Sequence, residues 1–317
     1  MKISSDELFL IERCYMNLFK CAKPCVVFFV VITVGCAPLN AVNVFPSGVG
    51  DIVRASWPVE VRETSGIALH NELNWTVNDS GGEPVVYAIN NDHDIEKKVY
   101  IREAKNVDWE SLAQDDEFLY IADCGNNRGN RSVVQIYKVL WLSLIEGVTG
   151  ESVAAEKMNI RYADFPEEKL SREHNFDCEA LTVVDDELWL FTKGWGNEKT
   201  KLYRLDKSKP NQAVAAEQEY NVDGLITGAD FDPLSRRLVL LGYDKNLIFG
   251  QSFIWLVPVD SLPIWDKAQR IKLHPYAQWE AVAWNKEEGE NELLLTSERS
   301  PLLDESVGRL KIATDFL

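Results

Sequence analysis

Short apolar runs broken by polar turns recur along most of the chain, and five of them open on a similar pattern of four residues. Each copy has a polar residue, a small residue, usually an aliphatic residue, and another small or polar residue. The copies are Ser65-Gly66-Ile67-Ala68, Glu110-Ser111-Leu112-Ala113, Glu179-Ala180-Leu181-Thr182, Thr227-Gly228-Ala229-Asp230 and Glu280-Ala281-Val282-Ala283. Their first residues are 45, 69, 48 and 53 positions apart, and periods of this size are typical of propeller blades with four strands.

Further runs of strand-like composition follow each copy. Second strands are predicted at residues 74–77, 118–122, 188–192, 237–242 and 292–296, and third strands at 85–89, 133–139, 201–205 and 253–257. Fourth strands are predicted at 97–101, 157–162, 213–222 and 268–273. The fifth copy ends with a run at 308–314, so we expect a strand within residues 51–62 to complete that blade and close the ring.

These runs predict an all-β fold, a single β-propeller of five four-stranded blades over residues 51–317. The long second repeat leaves a six-bladed propeller as the alternative. A β-sandwich would not show a recurrent first-strand motif at this spacing. The composition agrees with β structure, since the chain is rich in Val, Ile, Tyr, Trp and Thr interrupted by Gly, Asn and Asp.

The charge of the chain narrows the expected partners. The sequence has 33 Lys and Arg residues against 50 Asp and Glu residues, which gives a net charge of -17. So acidic a chain lacks the basic surface that binds a phosphate backbone, and nucleic acid is therefore excluded as an expected partner. We expect a monomer whose ligand is a small molecule or a glycan.

The first 35 residues predict a secretion signal. An apolar run at residues 24–35 is too short to span a bilayer comfortably and follows two lysines. The residues before it include three acidic side chains, which do not suit the basic start of a signal. Translation from Met16 would remove them, so we expect Met16 to be the true start.

The signal ends in Thr33-Val34-Gly35-Cys36, which is similar to a bacterial lipobox. We therefore expect a lipid on Cys36 and a tether at residues 36–50, so that the membrane is contacted through the lipid alone. Ordinary cleavage near Ala41 is the alternative. The expected location is the bacterial outer membrane or cell surface, or the periplasm or medium if no lipid is attached.

Two cysteines, Cys124 and Cys178, remain in the exported domain once the signal and the lipidated residue are set aside. Export permits a disulfide between them, and two buried free thiols are the alternative. The chain has no Cys-x-x-Cys or His-x-x-x-His spacing and its four histidines are scattered. A zinc site is therefore not expected.

The polar residues that open the five copies are expected to bring oxygen ligands together on the propeller axis. The first strand of each propeller blade lines the central channel, so the residues that open the five copies should converge on the axis. They comprise three carboxylates and two hydroxyls: Ser65, Glu110, Glu179, Thr227 and Glu280. Carboxylates this close repel unless a cation lies between them, and oxygen-only ligands favour Ca²⁺. The alternative is that each glutamate caps its own strand or pairs with an arginine or lysine.

This order of residues resembles the calcium-activated nucleotidases, secreted apyrases built as five-bladed propellers around one axial Ca²⁺. Residues 77–82, Val-Asn-Asp-Ser-Gly-Gly, are similar to the first-blade Asp-Asp-Arg-Thr-Gly turn of that family, with Ser80 where the family has its arginine. The resemblance implies a Ca²⁺ site at the five residues that open the copies. The pattern also resembles phytase-like and other exported bacterial propellers of unassigned function.

The turns between second and third strands should surround this site on one face. Residues in these turns are expected to bind a ligand: Asn78, Lys193, Trp195, Tyr243, Asp244 and Arg299. Three further turn residues are candidate catalytic groups. Asp79 or Asp123 would orient water and Arg128 would hold a phosphate, as a Ca²⁺-dependent hydrolase of phosphate esters or anhydrides requires. A non-catalytic propeller with an axial Ca²⁺ and a ligand-binding face is the other interpretation, because the fold does not decide between them.

Overall fold

The computed structural model describes residues 52–168, 170–245, 251–285, 291–299 and 304–312. Within these ranges the strands form five sheets that are antiparallel except for one parallel edge pair in each of two sheets, and the first strand of each sheet is innermost. The predicted signal, the tether and Cys36 lie outside the described residues. The fold is the predicted five-bladed β-propeller.

The first two blades contain the strands that follow the first two sequence copies. Blade 1 consists of β2 (Thr64–His70), β3 (Leu73–Asn78), β4 (Val85–Ile89) and β5 (Ile95–Ile101), extended at its outer edge by β9 (Ser152–Val153). Blade 2 consists of β6 (Trp109–Gln114), β7 (Phe118–Asp123), β8 (Val133–Leu140) and β10 (Glu156–Tyr162), extended by β14 (Asn211–Val214).

The remaining blades have four strands each. Blade 3 consists of β11 (Asp177–Val184), β12 (Glu187–Lys193), β13 (Lys199–Asp206) and β15 (Gln218–Asn221). Blade 4 consists of β16 (Leu225–Asp232), β17 (Arg237–Tyr243), β18 (Ser252–Pro258) and β19 (Gln269–Lys272). Blade 5 consists of β20 (Trp279–Asn285), β21 (Glu292–Ser297), β22 (Ser306–Lys311) and β1 (Val53–Ala55).

The ring closes as predicted, because a strand from the start of the domain completes the last blade. Strand β1 pairs antiparallel with β22, with Val53 opposite Arg309 and Ala55 opposite Val307. The Arg54 guanidinium also donates hydrogen bonds to the Ser306 hydroxyl, at 3.1 and 2.8 Å. The closing strand is therefore held by both its backbone and a side chain.

The long second repeat holds no sixth blade in the described structure. Its extra length contains helix α1 (Trp141–Glu146) and β9, which crosses back to pair in parallel with β5 of blade 1. Trp141 is buried there and stacks on His70, with 4.2 Å between the ring centroids. The excess residues thus pack against the outside of the neighbouring blade.

The prediction of one fourth strand over residues 213–222 is wrong, because this run divides into β14 and β15. Strand β14 leaves blade 3 and pairs in parallel with β10 of blade 2. The Asn159 amide donates to the Asn211 side-chain oxygen at 2.9 Å, and the Asn159 backbone N–H donates to the Pro210 carbonyl at 2.7 Å. Alternating polarity in the sequence identifies a strand but does not specify which strand it pairs with. Here these hydrogen bonds hold β14 beside β10.

The core lies between successive blades. The innermost strands contact one another in a closed ring, in the order β2, β6, β11, β16 and β20. Four fully buried tryptophans fill the spaces between sheets: Trp75, Trp109, Trp189 and Trp279. Burying each such side chain stabilises the fold by roughly 2–3 kcal/mol, so the interblade packing holds the first strands at a fixed separation around the channel.

Candidate metal centre

Each innermost strand has a β-bulge at the same position. The register between first and second strands skips one residue in every blade, and the residue skipped is the one that opens the sequence copy: Ser65, Glu110, Glu179, Thr227 and Glu280. A bulged residue has no place in the strand ladder, and its side chain is turned away from the regular alternation. The five residues predicted to bind metal therefore occupy structurally equivalent positions.

The two hydroxyl-bearing bulges tie neighbouring blades together. The Ser65 hydroxyl donates to the Trp109 carbonyl at 2.6 Å, and the Thr227 hydroxyl donates to the Trp279 carbonyl at 2.8 Å. Both acceptors directly precede a glutamate of the ring. The glycine after Ser65 allows this approach, since a Cβ on Gly66 would lie 2.5 Å from the Leu112 nitrogen. These hydroxyls therefore fix the positions of the glutamates in the next blade.

Four of the five bulge residues line one pocket at the mouth of the channel. The pocket has a volume of about 150 Å³. Its described lining residues are Ser65, Asp79, Glu110, Asn127, Glu179, Lys193, Tyr243, Gln278, Glu280 and Glu298. Thr227 is buried at the equivalent bulge but is not among them. The structure thus brings four predicted metal ligands together with Asp79, Lys193 and Tyr243 from the second-strand ends and turns.

The pocket carboxylates are poorly solvated and repel one another. Burial raises the pKa of Glu110 well above its usual range, and the charges of Glu179 and Asp79 add to this. Burial likewise raises the pKa of Glu280 to about 7. For Glu298, burial together with the charges of Glu280 and Asp79 raises the pKa to about 8. The pocket therefore favours either protons or a bound cation.

One side of the pocket contains its own cation. The Lys193 ammonium lies 3.2 Å from Glu179 Oε2, and both side chains are more than nine-tenths buried. It also lies 5.1 and 5.4 Å from the ring centroids of Trp195 and Tyr243. Burial alone would lower the pKa of Lys193, but Glu179, Tyr243 and Glu280 raise it well above the usual value. Lys193 is thus a charged group inside the pocket and does not belong to an exposed rim.

The other side gathers three carboxylates that form no salt bridge with a lysine or arginine in the described structure. Asp79, Asp108 and Glu110 each offer an oxygen, and these oxygens all lie within 4.8 Å of one another. Burial, followed by the charges of Asp79 and Asp177, raises the pKa of Asp108 to about 6. We call these three residues the acidic corner.

Asp108 was not predicted, although the sequence contains a signal for it. The residue two positions before the bulge is polar in four of the five copies: Glu63, Asp108, Asp177 and Gln278. Asp108 directly precedes β6, and one of its carboxylate oxygens lies within 4.8 Å of oxygens of Asp79 and the bulged Glu110. Asp177 differs from Asp108 because it is already satisfied by the Asn126 backbone N–H at 2.6 Å and the Trp195 indole at 2.8 Å.

The backbone behind the acidic corner is held closely. A Cβ on Gly125 would lie 2.2 Å from Glu110 Oε1 and 2.4 Å from Asp108 Oδ2, so a larger residue would displace these two carboxylates. A disulfide joins the preceding residue, Cys124, to Cys178, with Cα atoms 5.3 Å apart. Cys178 itself precedes Glu179. The disulfide therefore links blades 2 and 3 directly beside the pocket.

The other predicted functional residues do not line this pocket. Asp123 is buried in an ion pair with Arg131 at 2.9 Å. Arg128 is exposed, and the Asn78 amide donates to the Glu60 carbonyl. Asp244 pairs with Arg270 at 3.1 Å.

Arg299 lines a neighbouring pocket of about 390 Å³, whose described lining residues are Arg62, Glu63, Asp79, Ser80, Glu298 and Arg299. This pocket shares Asp79 and Glu298 with the axial pocket. A basic side chain of the predicted face therefore lies next to the acidic pocket, although outside it.

Neither a protein-family model nor a curated protein sequence matches the chain. Among solved structures, regucalcin from Agrobacterium tumefaciens, described as a calcium-binding protein, aligns over 80% of this chain and 92% of its own, with 12% identity and a TM-score of 0.41. A Xanthomonas campestris gluconolactonase aligns over 79% of this chain and 72% of its own, with 11% identity and a TM-score of 0.45.

Kuenenia stuttgartiensis hydrazine synthase aligns over 78% of this chain, with 12% identity and a TM-score of 0.41. The present chain spans 60% of that longer protein. Similarity at this level concerns the fold alone. Of the helices in the described ranges, none is long and apolar enough to cross a membrane.

Proposed function

We propose that the chain is an exported β-propeller that binds Ca²⁺ in the pocket at the mouth of its channel and presents a ligand-binding face around it. The observation that carries this proposal is the convergence of five carboxylates on one pocket with a single lysine among its described lining residues. Glu110 and Glu280 are both at least nine-tenths buried, at 6% and 9% exposure. Buried charges of one sign require a counter-charge, and one lysine cannot balance five carboxylates.

The donor set fits calcium better than other metals. The pocket offers carboxylate oxygens, the Ser65 hydroxyl and the side-chain amides of Asn127 and Gln278, with no histidine or cysteine among the described lining residues. Oxygen-only sets favour hard cations, and Ca²⁺ accepts six to eight such ligands in flexible geometry, whereas Mg²⁺ demands a tight octahedron. A bound Ca²⁺ would neutralise the carboxylates and offer positive charge to an anionic ligand group.

Calcium binding is tested by calorimetric titration and thermal unfolding of the purified protein with Ca²⁺, with Mg²⁺ and with chelator. We expect Ca²⁺ to bind and to raise the melting temperature more than Mg²⁺ does. Replacing Glu110 by Gln should weaken binding strongly, while the exposed control Glu146→Gln should not. Identical unfolding in Ca²⁺ and in chelator, without binding heat, would refute the proposal.

A Ca²⁺-dependent phosphohydrolase is the second candidate function. It is favoured by the neighbouring pocket, in which Arg62 and Arg299 lie beside Asp79 and Glu298 of the axial pocket. Arginines next to a metal suit a phosphate ester or anhydride, and Asp79 could orient the attacking water. The other two candidate catalytic residues lie outside the pocket: Asp123 is paired with Arg131, and the Arg128 side chain is exposed.

Phosphate release from nucleoside di- and triphosphates and from a generic phosphate ester tests this candidate. Calcium-dependent turnover that is lost in Asp79→Asn and reduced in Arg299→Met would support the enzyme. No turnover by a protein that binds Ca²⁺ would favour the non-catalytic propeller, whose ligand is then a small molecule or a glycan.

Export and lipid attachment are also proposed. The apolar segment at residues 24–35 and the lipobox-like Cys36 support them, and the disulfide between Cys124 and Cys178 fits an oxidising compartment. Cell fractionation and labelling with radioactive palmitate test the proposal. We expect membrane association and label in the wild type and neither in Cys36→Ser; an unlabelled, cytosolic wild-type protein would contradict it.

A further inference from the structure

We propose that the divalent cation sits off the axis, held by the acidic corner of Asp79, Asp108 and Glu110, and that Lys193 permanently replaces a metal ion on the opposite side of the pocket. This inference rests on the proposed calcium binding and specifies where the ion lies. It adds Asp108 to the ligands and removes Glu179 from them.

The geometry of the acidic corner matches one ion. Oxygens bound to the same Ca²⁺ at about 2.4 Å can be at most about 4.8 Å apart. One oxygen from each of Asp79, Asp108 and Glu110 meets this limit for every pair. The three residues come from the turn after β3, the approach to β6 and the bulge of β6, so two blades contribute.

Glu110 gives an independent indication of a missing ligand. Its side chain is 6% exposed and lines the pocket, yet within the described parts of the chain it has no hydrogen-bond donor and no basic partner. The nearby Asp177, by contrast, accepts two hydrogen bonds, and Asp123 pairs with Arg131 through Oδ1 while its Oδ2 is buried without a hydrogen-bond partner. A buried carboxylate that faces a pocket without a partner points to a cation there.

Lys193 explains why the ion would avoid the axis. Its ammonium is 3.2 Å from Glu179 Oε2, where an axial metal bound to Glu179 would have to lie. Two cations at such a separation in a poorly solvated pocket repel strongly. The carboxylates of the acidic corner form no salt bridge with this ammonium, and three of their oxygens lie close enough together to hold one ion.

The decisive experiment compares ligand variants from the two sides of the pocket by calorimetric titration with Ca²⁺. We expect Asp108→Asn to weaken binding by about tenfold to a hundredfold or more, as the loss of a charged ligand does. Glu179→Gln should change affinity by less than about threefold, because its partner is Lys193. The exposed Asp92→Asn is the control and should bind as the wild type does.

A stability measurement separates a ligand from a merely structural residue. Without calcium, Asp108→Asn removes one of several repelling carboxylates, so we expect its melting temperature in chelator to equal or exceed that of the wild type. In saturating Ca²⁺ the order should reverse. Terbium luminescence excited through nearby tryptophan should be lost in the same variant and retained in Glu179→Gln.

The outcomes distinguish this inference from the proposal on which it rests. Calcium binding that survives Asp108→Asn unchanged but is lost in Glu179→Gln would overturn the off-axis site and leave calcium binding intact. A wild-type protein that binds neither Ca²⁺ nor Tb³⁺ would overturn both. An Asp108→Asn variant that is less stable than the wild type in chelator, with unchanged affinity, would assign Asp108 a structural role alone.

Discussion

The two sides of the channel mouth both contain buried carboxylates, but these carboxylates differ in how their negative charge is balanced. On the blade 3 side, Glu179 is neutralised by Lys193, which also packs against Trp195 and Tyr243. On the blade 2 side, Asp79, Asp108 and Glu110 approach one another with no described lysine or arginine at their centre. Equivalent bulges thus carry equivalent glutamates in unlike surroundings. The contrast teaches that a repeated residue fixes a position, while its neighbours decide whether the counter-charge belongs to the protein or comes from solution.

Removing the Lys193 ammonium should have the largest effect on the difference between the two sides. Lys193→Met leaves Glu179 buried without its partner, and loss of one member of a buried ion pair costs about 3–5 kcal/mol. We expect urea unfolding in chelator to show a loss of this size. Lys199→Met, which breaks the half-exposed pair with Glu219, should cost at most about 1 kcal/mol. Equal effects of the two substitutions would mean that Lys193 does not neutralise the pocket.

The disulfide couples the two sides. Replacing both Cys124 and Cys178 by Ser releases a link across a sequence separation of 54 residues, and loss of such a link costs about 2–5 kcal/mol. Because the cysteines adjoin Gly125 and Glu179, we also expect weaker calcium binding. Unfolding and calcium titration of the double variant measure both effects. Unchanged affinity at reduced stability would show that the link supports the fold without shaping the pocket.

Gly125→Ala tests the acidic corner alone. The added methyl would overlap the carboxylates of Glu110 and Asp108, and overpacking of this kind costs about 1–3 kcal/mol. We expect lower calcium affinity with the ion pair of Lys193 unaffected. Gly82→Ala is the matched control, since its nearest neighbour would be 3.8 Å away. Equal affinities of the two variants would argue against a site at this corner.

The smallest expected effect is a pH dependence that calcium reverses. The pKa of Asp108 is raised to about 6 and that of Glu280 to about 7 in the folded protein. Between pH 4 and 7 these two groups therefore hold more protons in the folded state than in the unfolded state, and their contribution to metal-free stability falls as pH rises, by at most about 1.4 kcal/mol per pH unit for each extra proton. Calcium should flatten or invert this slope. Stability in chelator that rises over this range would contradict the raised values.

The sequence repeats were sufficient to predict the blades and the equivalence of the five residues that open their first strands, although not that these residues form bulges. Ser65, Glu110, Glu179, Thr227 and Glu280 share one position because each opens a copy of the same strand. Asp108 was missed because the comparison of copies began at the bulge and did not include the residue two places earlier. The strand pattern contained this information.

Other features depend on contacts that no local pattern specifies. Lys193 precedes a Gly-Trp-Gly turn typical of a surface loop, yet as the last residue of β12 its side chain enters the pocket. The place of β14 on blade 2 was missed because parallel pairing with β10 joins segments about 50 residues apart. Burial and strand partnership of this kind arise only when the blades assemble.

The pairing of β1 with β22 determines when the ring can be completed. The Arg54 contact to Ser306 joins residues 252 positions apart, so β1 cannot find its partner until the four following blades and most of blade 5 have been synthesised. Inner hairpins can form early, but closure belongs to the end of synthesis or transport, because non-local pairing is slow. Under the export proposed above, a chain that stays open until then could be threaded through a membrane channel and would complete its ring on the far side.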